Sequence, residues 1–195
     1  MEIEDKINRF LLKLKKSKII DENCYKSLYV SGSGPGILYG LPKIHKPNFS
    51  ETFPFRPIFA AYNSASYNIS KFLVPILAPL TTNEFTVLNS YSFVDEITSF
   101  PNADKYYMAS FDIESLFTNI PLKETIDIIL NALFSNSDLF LNFTRHLFSQ
   151  LLNLAVCNTF FIFDNSFYEQ IEGLGMGLPL GTTFAKIFMR FHKKT

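Results

Sequence analysis

The first clear pattern of apolar and polar positions is the run "IEDKINRFLLKLKKSKII" at 3–20. Its apolar residues recur at helical spacing and form one stripe, with lysines on the opposite side. The pattern therefore predicts an amphipathic helix. The stripe consists of Ile3, Ile7, Phe10, Leu11 and Leu14.

Three later runs show the same spacing, at 67–80, 121–134 and 139–156. Within the first of them, Pro75 predicts a kink or a first turn, because proline lacks the amide hydrogen that a helix interior needs. Pro121 suits the first helical position, where that hydrogen has no partner. Each run predicts a helix with one buried face.

Extended structure is predicted by three other runs. A short strand is expected around Gly36 to Tyr39, inside a stretch rich in Gly and Pro. The segment "TFFIFDNSFYEQI" at 159–171 places two aromatic runs around Asp-Asn-Ser, which predicts a β-hairpin. The run from Tyr106 to Phe111 is also strand-like, and it is expected to be buried.

Composition and charge narrow the class of protein. Hydrophobic residues make up 47% and charged residues 18% of 195 residues, which favours a folded domain, or two small lobes, over disorder. The net charge is zero, yet residues 1–46 hold nine Lys and Arg against five Asp and Glu. This basic N-terminal segment could bind a polyanion. Lysines on a solvent-exposed helix face would explain the excess of positive charge equally well.

The sequence gives little support for a disulfide-rich, zinc-binding, membrane-spanning or secreted protein. Cys24 and Cys157 lack the spacing of a disulfide framework or a zinc site, so they are expected to be small buried residues. No apolar run reaches the ~18 residues of a membrane span, and the start has no signal-peptide core. An intracellular protein without a membrane partner is the expectation, with nucleus and cytoplasm not distinguished.

The stretch "SFDIESLFTNIPL" at 110–122 contains the main candidate for chemistry. Asp112 ends the predicted strand and precedes a turn into a helix, a geometry that can hold Mg²⁺ near a phosphate. Strand-terminal aspartates are common, however, and turn or cap formation is the competing interpretation.

Two further features could contact a phosphorylated ligand. Lys43 and Arg56 lie in neighbouring segments predicted to be extended, where two cations could meet a triphosphate. The run "GLGMGLPLGTTFAKIFM" at 173–189 is a Gly-rich loop leading into a helix, and Pro179 suits its first turn. Taken separately, each could be only an edge strand or a turn.

Together, the order and spacing of these motifs resemble the reverse transcriptase domain of Penelope-like retroelements. In that family "YGLPKIHK" and "RPI" belong to the fingers, "SFDxxSLFTNIPL" is the first palm motif, and "MGxPLxxxxAxIFM" is the second. The resemblance extends from about Leu14 to Met189. It implies RNA-directed DNA synthesis with an RNA template, a DNA primer, dNTPs and Mg²⁺.

The resemblance also implies a fold and its division. The fold would be α+β, with right-hand polymerase fingers at about 1–104 and part of 122–172, and palm pieces at about 105–121 and 173–195. In the palm, Asp112 would be the first metal-binding aspartate, with the Ile113 carbonyl as a further ligand.

The resemblance places the remaining site residues around the incoming nucleotide. Phe117 would lie under its sugar and exclude a 2′-hydroxyl, which favours dNTPs. Lys43 and Arg56 would contact the triphosphate. The templating pair would be bordered by Met176, Gly177 and Pro179.

The sequence departs from the family in two ways. Polymerase chemistry uses two metal ions held by carboxylates from two strands, and the family's later Asp-Asp pair does not occur here. The second motif also differs, at Leu178, Gly181, Thr182 and Lys186. An incomplete active site, inactive alone, is therefore expected, with an exposed palm edge that favours self-association. A polymerase fragment, a non-catalytic binder of nucleic acid or nucleotide, and an inert relic all remain open.

Overall fold

The computed structural model describes residues 2–43, 54–84, 86–102, 105–157 and 159–193. They form a mixed α+β fold built from helices packed beside a mixed sheet. In chain order the elements are α1 (Glu2–Lys16), α2 (Glu22–Leu28), β1 (Gly36–Pro42), β2 (Phe55–Ala60), α3 (Tyr67–Leu77), a 3-10 turn (Ala78–Leu80), α4 (Ser90–Ser99), α5 (Leu116–Asn119), α6 (Leu122–Leu133), β3 (Leu139–Phe140), β4 (Phe143–Thr144), α7 (Arg145–Val156), β5 (Thr159–Phe163), β6 (Ser166–Gln170) and α8 (Gly181–His192).

One apolar core lies between the helices, and helical periodicity explains most of it. The predicted helices at 3–20, 67–80 and 121–134 are confirmed as α1, α3 and α6, each burying the apolar face that its spacing indicates. Pro75 lies inside α3, whereas Pro121 caps α6 instead of occupying its first turn. Helices α7 and α8 complete the core through side chains that include the fully buried Phe148 and Phe184.

The main sheet has the strand order β2-β1-β5-β6. Strand β1 is antiparallel to β2 and parallel to β5, while β5 and β6 form the predicted hairpin. Asp164 and Asn165 make its two-residue turn with φ angles of 47° and 56°. Positive φ at both positions is typical of hairpin turns, and Asp and Asn tolerate it.

The helix predicted over 139–156 is wrong in its first third. Residues 139–144 form the small β3–β4 hairpin instead, and α7 begins at Arg145. Leu141 and Asn142 have φ angles of 48° and 64°, which a helix does not contain. Thr144 then caps α7 by accepting a hydrogen bond from the Leu147 amide at 3.4 Å. Local turn and cap chemistry thus overrides the apolar spacing.

The buried strand predicted over Tyr106–Phe111 is also absent. This segment has no regular structure, and Phe111 is 94% exposed. A strand forms only when its amides and carbonyls pair with a neighbour, and no described strand lies beside it. The open strand edge expected for self-association is therefore not formed in the described part of the chain.

The two thiols lie in partly buried positions. Burial raises the pKa of Cys24 and of Cys157, so both stay protonated at neutral pH. Within the described ranges, no helix is long and apolar enough to cross a membrane.

Candidate nucleotide site

Lys43 and Arg56 lie at the end of the β1–β2 pair where β1 finishes and β2 begins. Arg56 pairs with Leu41 in the antiparallel register, and the Lys43 amide donates to the Pro54 carbonyl at 2.9 Å. Paired residues project to one face of a sheet, and a residue two positions on returns to that face. This register places Lys43 and Arg56 diagonally across the two paired segments, on one face. Their joint contact with a triphosphate stays a prediction.

The segment "YGLPKIHK" at 39–46 is only partly described. Tyr39 to Lys43 are in or next to β1, whereas Ile44, His45 and Lys46 lie outside the described residues. Arg56 is exposed and Lys43 is half-buried, so both side chains can reach solvent and a charged ligand.

The Gly-rich loop at 173–180 runs along the free edge of β2. The Phe59 amide donates to the Met176 carbonyl at 2.7 Å, which extends the sheet edge by one loop contact. Gly177 has a φ of 131°, and a Cβ atom there would overlap the Phe59 carbonyl oxygen. Only glycine allows this close approach of two backbones. Met176 and Gly177 are thus fixed beside the "RPI" strand.

The same loop also contacts α5, the short helix that contains Phe117. The Leu174 amide donates to the Phe117 carbonyl at 2.7 Å. Gly173 has a φ of 70° and lies against the Thr118 backbone, where a side chain would clash. The start of α8 is equally close, because a Cβ on Gly181 would lie 3.5 Å from the Phe117 ring. The half-buried Phe117 is therefore held between the loop and α8.

Pro179 lies just before α8 instead of in its first turn. The helix begins at Gly181 with Leu180 as its N-cap, and the Gly181 amide donates to the Leu178 carbonyl at 2.9 Å. Pro179 belongs to this preceding turn and is half-buried. The prediction was wrong by a few positions, a common error at helix ends.

Asp112 lies in an exposed segment without regular structure. Its carboxylate accepts a hydrogen bond from the adjacent Ile113 amide at 3.0 Å. This bond is neither an Asx turn, which reaches two residues along the chain, nor a helix cap. Among the residues that the structure describes, no group of three His, Cys, Asp or Glu side chains could hold a metal ion. The assignment of Asp112 and the Ile113 carbonyl as metal ligands stays a prediction.

The backbone groups that assemble the site were not identified from the sequence. The Phe59 amide and the Phe117 carbonyl are the two anchors of the loop, and neither has a side-chain signature. The only sequence signal was the density of glycines in "GLGMG", which indicates close backbone approach without naming the partner.

Comparisons of the chain with family models, curated proteins and solved structures find no match. The functional interpretation consequently depends on the motifs and on the contacts between them.

Proposed function

We propose that this chain provides the nucleotide-binding part of a reverse-transcriptase-like protein, with fingers and the first palm motifs. The supporting observation is that one Gly-rich loop hydrogen-bonds both to Phe59 in β2 and to Phe117. The loop thereby links "SLFTN" to the strand that contains "RPI", at Phe59 directly after that motif, and these segments are far apart in the sequence. The resemblance requires this contact, since all three motifs would surround one nucleotide.

The proposed ligand is a dNTP paired with an RNA or DNA template. Lys43 and Arg56 would bind the triphosphate, because phosphate oxygens accept charge-assisted hydrogen bonds from both side chains. Phe117 would contact the sugar and disfavour a 2′-hydroxyl. Met176, Gly177 and Pro179 would border the base pair.

Binding without catalysis is the favoured form of this proposal. Two-metal chemistry needs carboxylates on two sides of the reacting phosphate. Among the described residues, no group of three His, Cys, Asp or Glu side chains is formed around Asp112, whose carboxylate accepts a hydrogen bond from the Ile113 amide. The exposed Asp112 gives a cation such as Mg²⁺ one side-chain ligand, which supports a non-catalytic binder of nucleotide or nucleic acid.

The first prediction concerns triphosphate binding. Lys43→Ala/Arg56→Ala should weaken dATP binding by about 10-fold to 30-fold, since hydrogen bonds between charged groups contribute roughly 1.5–3 kcal/mol each before solvent exposure is discounted. Equilibrium dialysis with labelled dATP and a primer–template measures this. The matched control is Lys71→Ala/Lys26→Ala, which removes two exposed lysines that belong to none of the three motifs.

The control pair should leave dATP binding within about 2-fold of the parent, because its lysines are on α3 and α2. dAMP should bind weakly to all three proteins, because it lacks the β- and γ-phosphates. Equal losses in both double variants would contradict the assignment of Lys43 and Arg56. Undetectable dATP binding by the parent protein would contradict the proposed function.

The second prediction concerns polymerase activity. A protein of these 195 residues should not extend a primer on RNA or DNA with Mg²⁺ or Mn²⁺, because one aspartate cannot position two ions. Denaturing gel electrophoresis of an end-labelled primer detects single-nucleotide addition. Template-dependent addition that disappears in Asp112→Ala would show that a complete active site exists.

A further inference from the structure

A basic notch lies between the second half of α8 and the loop that follows the 3-10 turn. Its volume is about 130 Å³. Lys186 and Arg190 on α8, with Lys193 directly after the helix, form one wall, and the loop forms the other. The described lining residues are Thr81, Thr82, Asn83, Thr86, Lys186, Met189, Arg190 and Lys193.

The charge of this notch is uncompensated. No acidic side chain belongs to its described lining, and α8 contains none. Over the described ranges, Lys186, Arg190 and Lys193 form no ion pair with a carboxylate, whereas Lys15 and Lys26 each pair with Glu22. Cations in the last turn complement the helix dipole, but Lys186 lies in the middle of the helix.

The central cation is already fixed in place. Arg190 donates one hydrogen bond from Nη1 to the Leu80 carbonyl at 2.9 Å, and the Arg190 carbonyl accepts from the Asn83 side chain at 3.4 Å. A guanidinium has five N–H donors, so most remain available for a ligand. Since Arg190 is ordered before binding, an anion would incur less entropic cost there than on a mobile side chain.

The facing loop is held in shape as well. The Thr86 hydroxyl donates to Asn83 Oδ1 at 2.9 Å and accepts from the Asn83 amide at 3.0 Å. The Thr81 hydroxyl donates to the Ala78 carbonyl at 2.7 Å. These two hydroxyls therefore shape the notch, and a ligand would meet Thr82 together with the three cations.

Size and chemistry identify the ligand class. The notch accommodates a phosphate group but is smaller than the roughly 300–1,000 Å³ of pockets for whole small molecules. Its described lining has no aromatic ring on which a base could stack. Lys186 and Arg190 follow one another along α8 and Lys193 is its C-cap, so successive phosphates of a strand can contact the three cations.

We propose that this notch binds the phosphate backbone of a nucleic-acid strand without reading its sequence. The site uses other residues than the proposed dNTP site and does not depend on it.

Fluorescence anisotropy with a labelled single-stranded oligonucleotide tests the proposal. Lys186→Gln/Lys193→Gln should bind roughly 10-fold to 30-fold more weakly at 0.1 M salt, and the slope of log K against log salt should fall by about 1.4, or ~0.7 per contact. Both lysines are exposed, so the fold should be retained. Arg190 is kept because it also binds Leu80.

The control Lys71→Gln/Lys123→Gln changes the net charge equally and should lower affinity by less than about 3-fold. Equal effects of the two pairs would overturn the proposal, because net charge alone would then explain the binding. An unchanged affinity in Lys186→Gln/Lys193→Gln would overturn it too.

Two further measurements distinguish a nucleic-acid strand from free phosphate and from lipid headgroups as the ligand of the notch. Inorganic phosphate should displace the oligonucleotide more effectively than chloride of equal ionic strength, and this difference should disappear in Lys186→Gln/Lys193→Gln. Phosphatidylserine vesicles should not bind in a Lys186-dependent way. If they do while oligonucleotide binding is unaffected by the variant, the notch recognises lipid headgroups and the nucleic-acid proposal fails. dATP dialysis on the same variant should be unchanged, which separates this site from Lys43 and Arg56.

Discussion

Replacing Gly177 with alanine is expected to destabilise the protein by about 3 kcal/mol, the upper end for a single strained backbone position. Gly177 has a φ of 131°, which side chains rarely adopt, and its Cβ would overlap the Phe59 carbonyl oxygen. The carbonyl is a backbone group and the backbone fixes the position of the Cβ, so no side-chain rotation relieves the overlap. Urea unfolding followed by circular dichroism should therefore show a clear drop in the transition midpoint.

Gly34→Ala is the matched control for that change. A Cβ on Gly34 would point into open space, and its φ is not positive, so alanine should be neutral or slightly stabilising. If Gly177→Ala were as stable as Gly34→Ala, the loop at 173–180 would not lie against β2. The proposed nucleotide site would then lose its supporting contact.

Phe148→Ala should have the largest effect, about 3–5 kcal/mol, which is the usual cost of removing a buried phenylalanine. Phe148 is fully buried, and its ring makes edge contacts with three other phenylalanines. Their centroids lie 5.6–6.1 Å from its own. The rings are those of Phe134, Phe140 and Phe143. Calorimetry or urea unfolding would measure the loss.

Phe111→Ala provides the contrast, because Phe111 is 94% exposed. Its replacement should change stability by less than about 0.5 kcal/mol. A loss comparable to that of Phe148→Ala would mean that the segment at 106–111 is buried as a strand, as the sequence predicted, and that its exposed position here is wrong.

Periodicity and turn chemistry account for much of what the sequence predicted correctly. The stripe through Ile7, Leu11 and Leu14 is buried, and the Asp164-Asn165 turn closes the β5–β6 hairpin. The two extended segments predicted around Lys43 and Arg56 pair as β1 and β2, with Lys43 directly after the end of β1. Such features are local, or depend on one strand pairing.

Features that depend on distant partners were missed. The strand predicted at 106–111 needed a neighbour that no sequence pattern specifies. Helix α4 was missed for a different reason, because its apolar spacing is weak. The capping box formed by Asn89 and Ser92 is a local signal that could have predicted its start. The contacts of Phe59 and Phe117 with the Gly-rich loop involve backbone atoms, which carry no residue-specific signal.

Hydrogen–deuterium exchange with mass spectrometry, with and without dATP in the presence of a primer–template, examines the proposed site as a whole. Peptides covering 54–60, 112–118 and 173–181 should all exchange more slowly when dATP is bound, because one ligand would contact all three motifs. Peptides from α2, at Glu22–Leu28, should not change. Unchanged exchange in the three motifs at saturating dATP, or slowing confined to other regions, would contradict a shared nucleotide site.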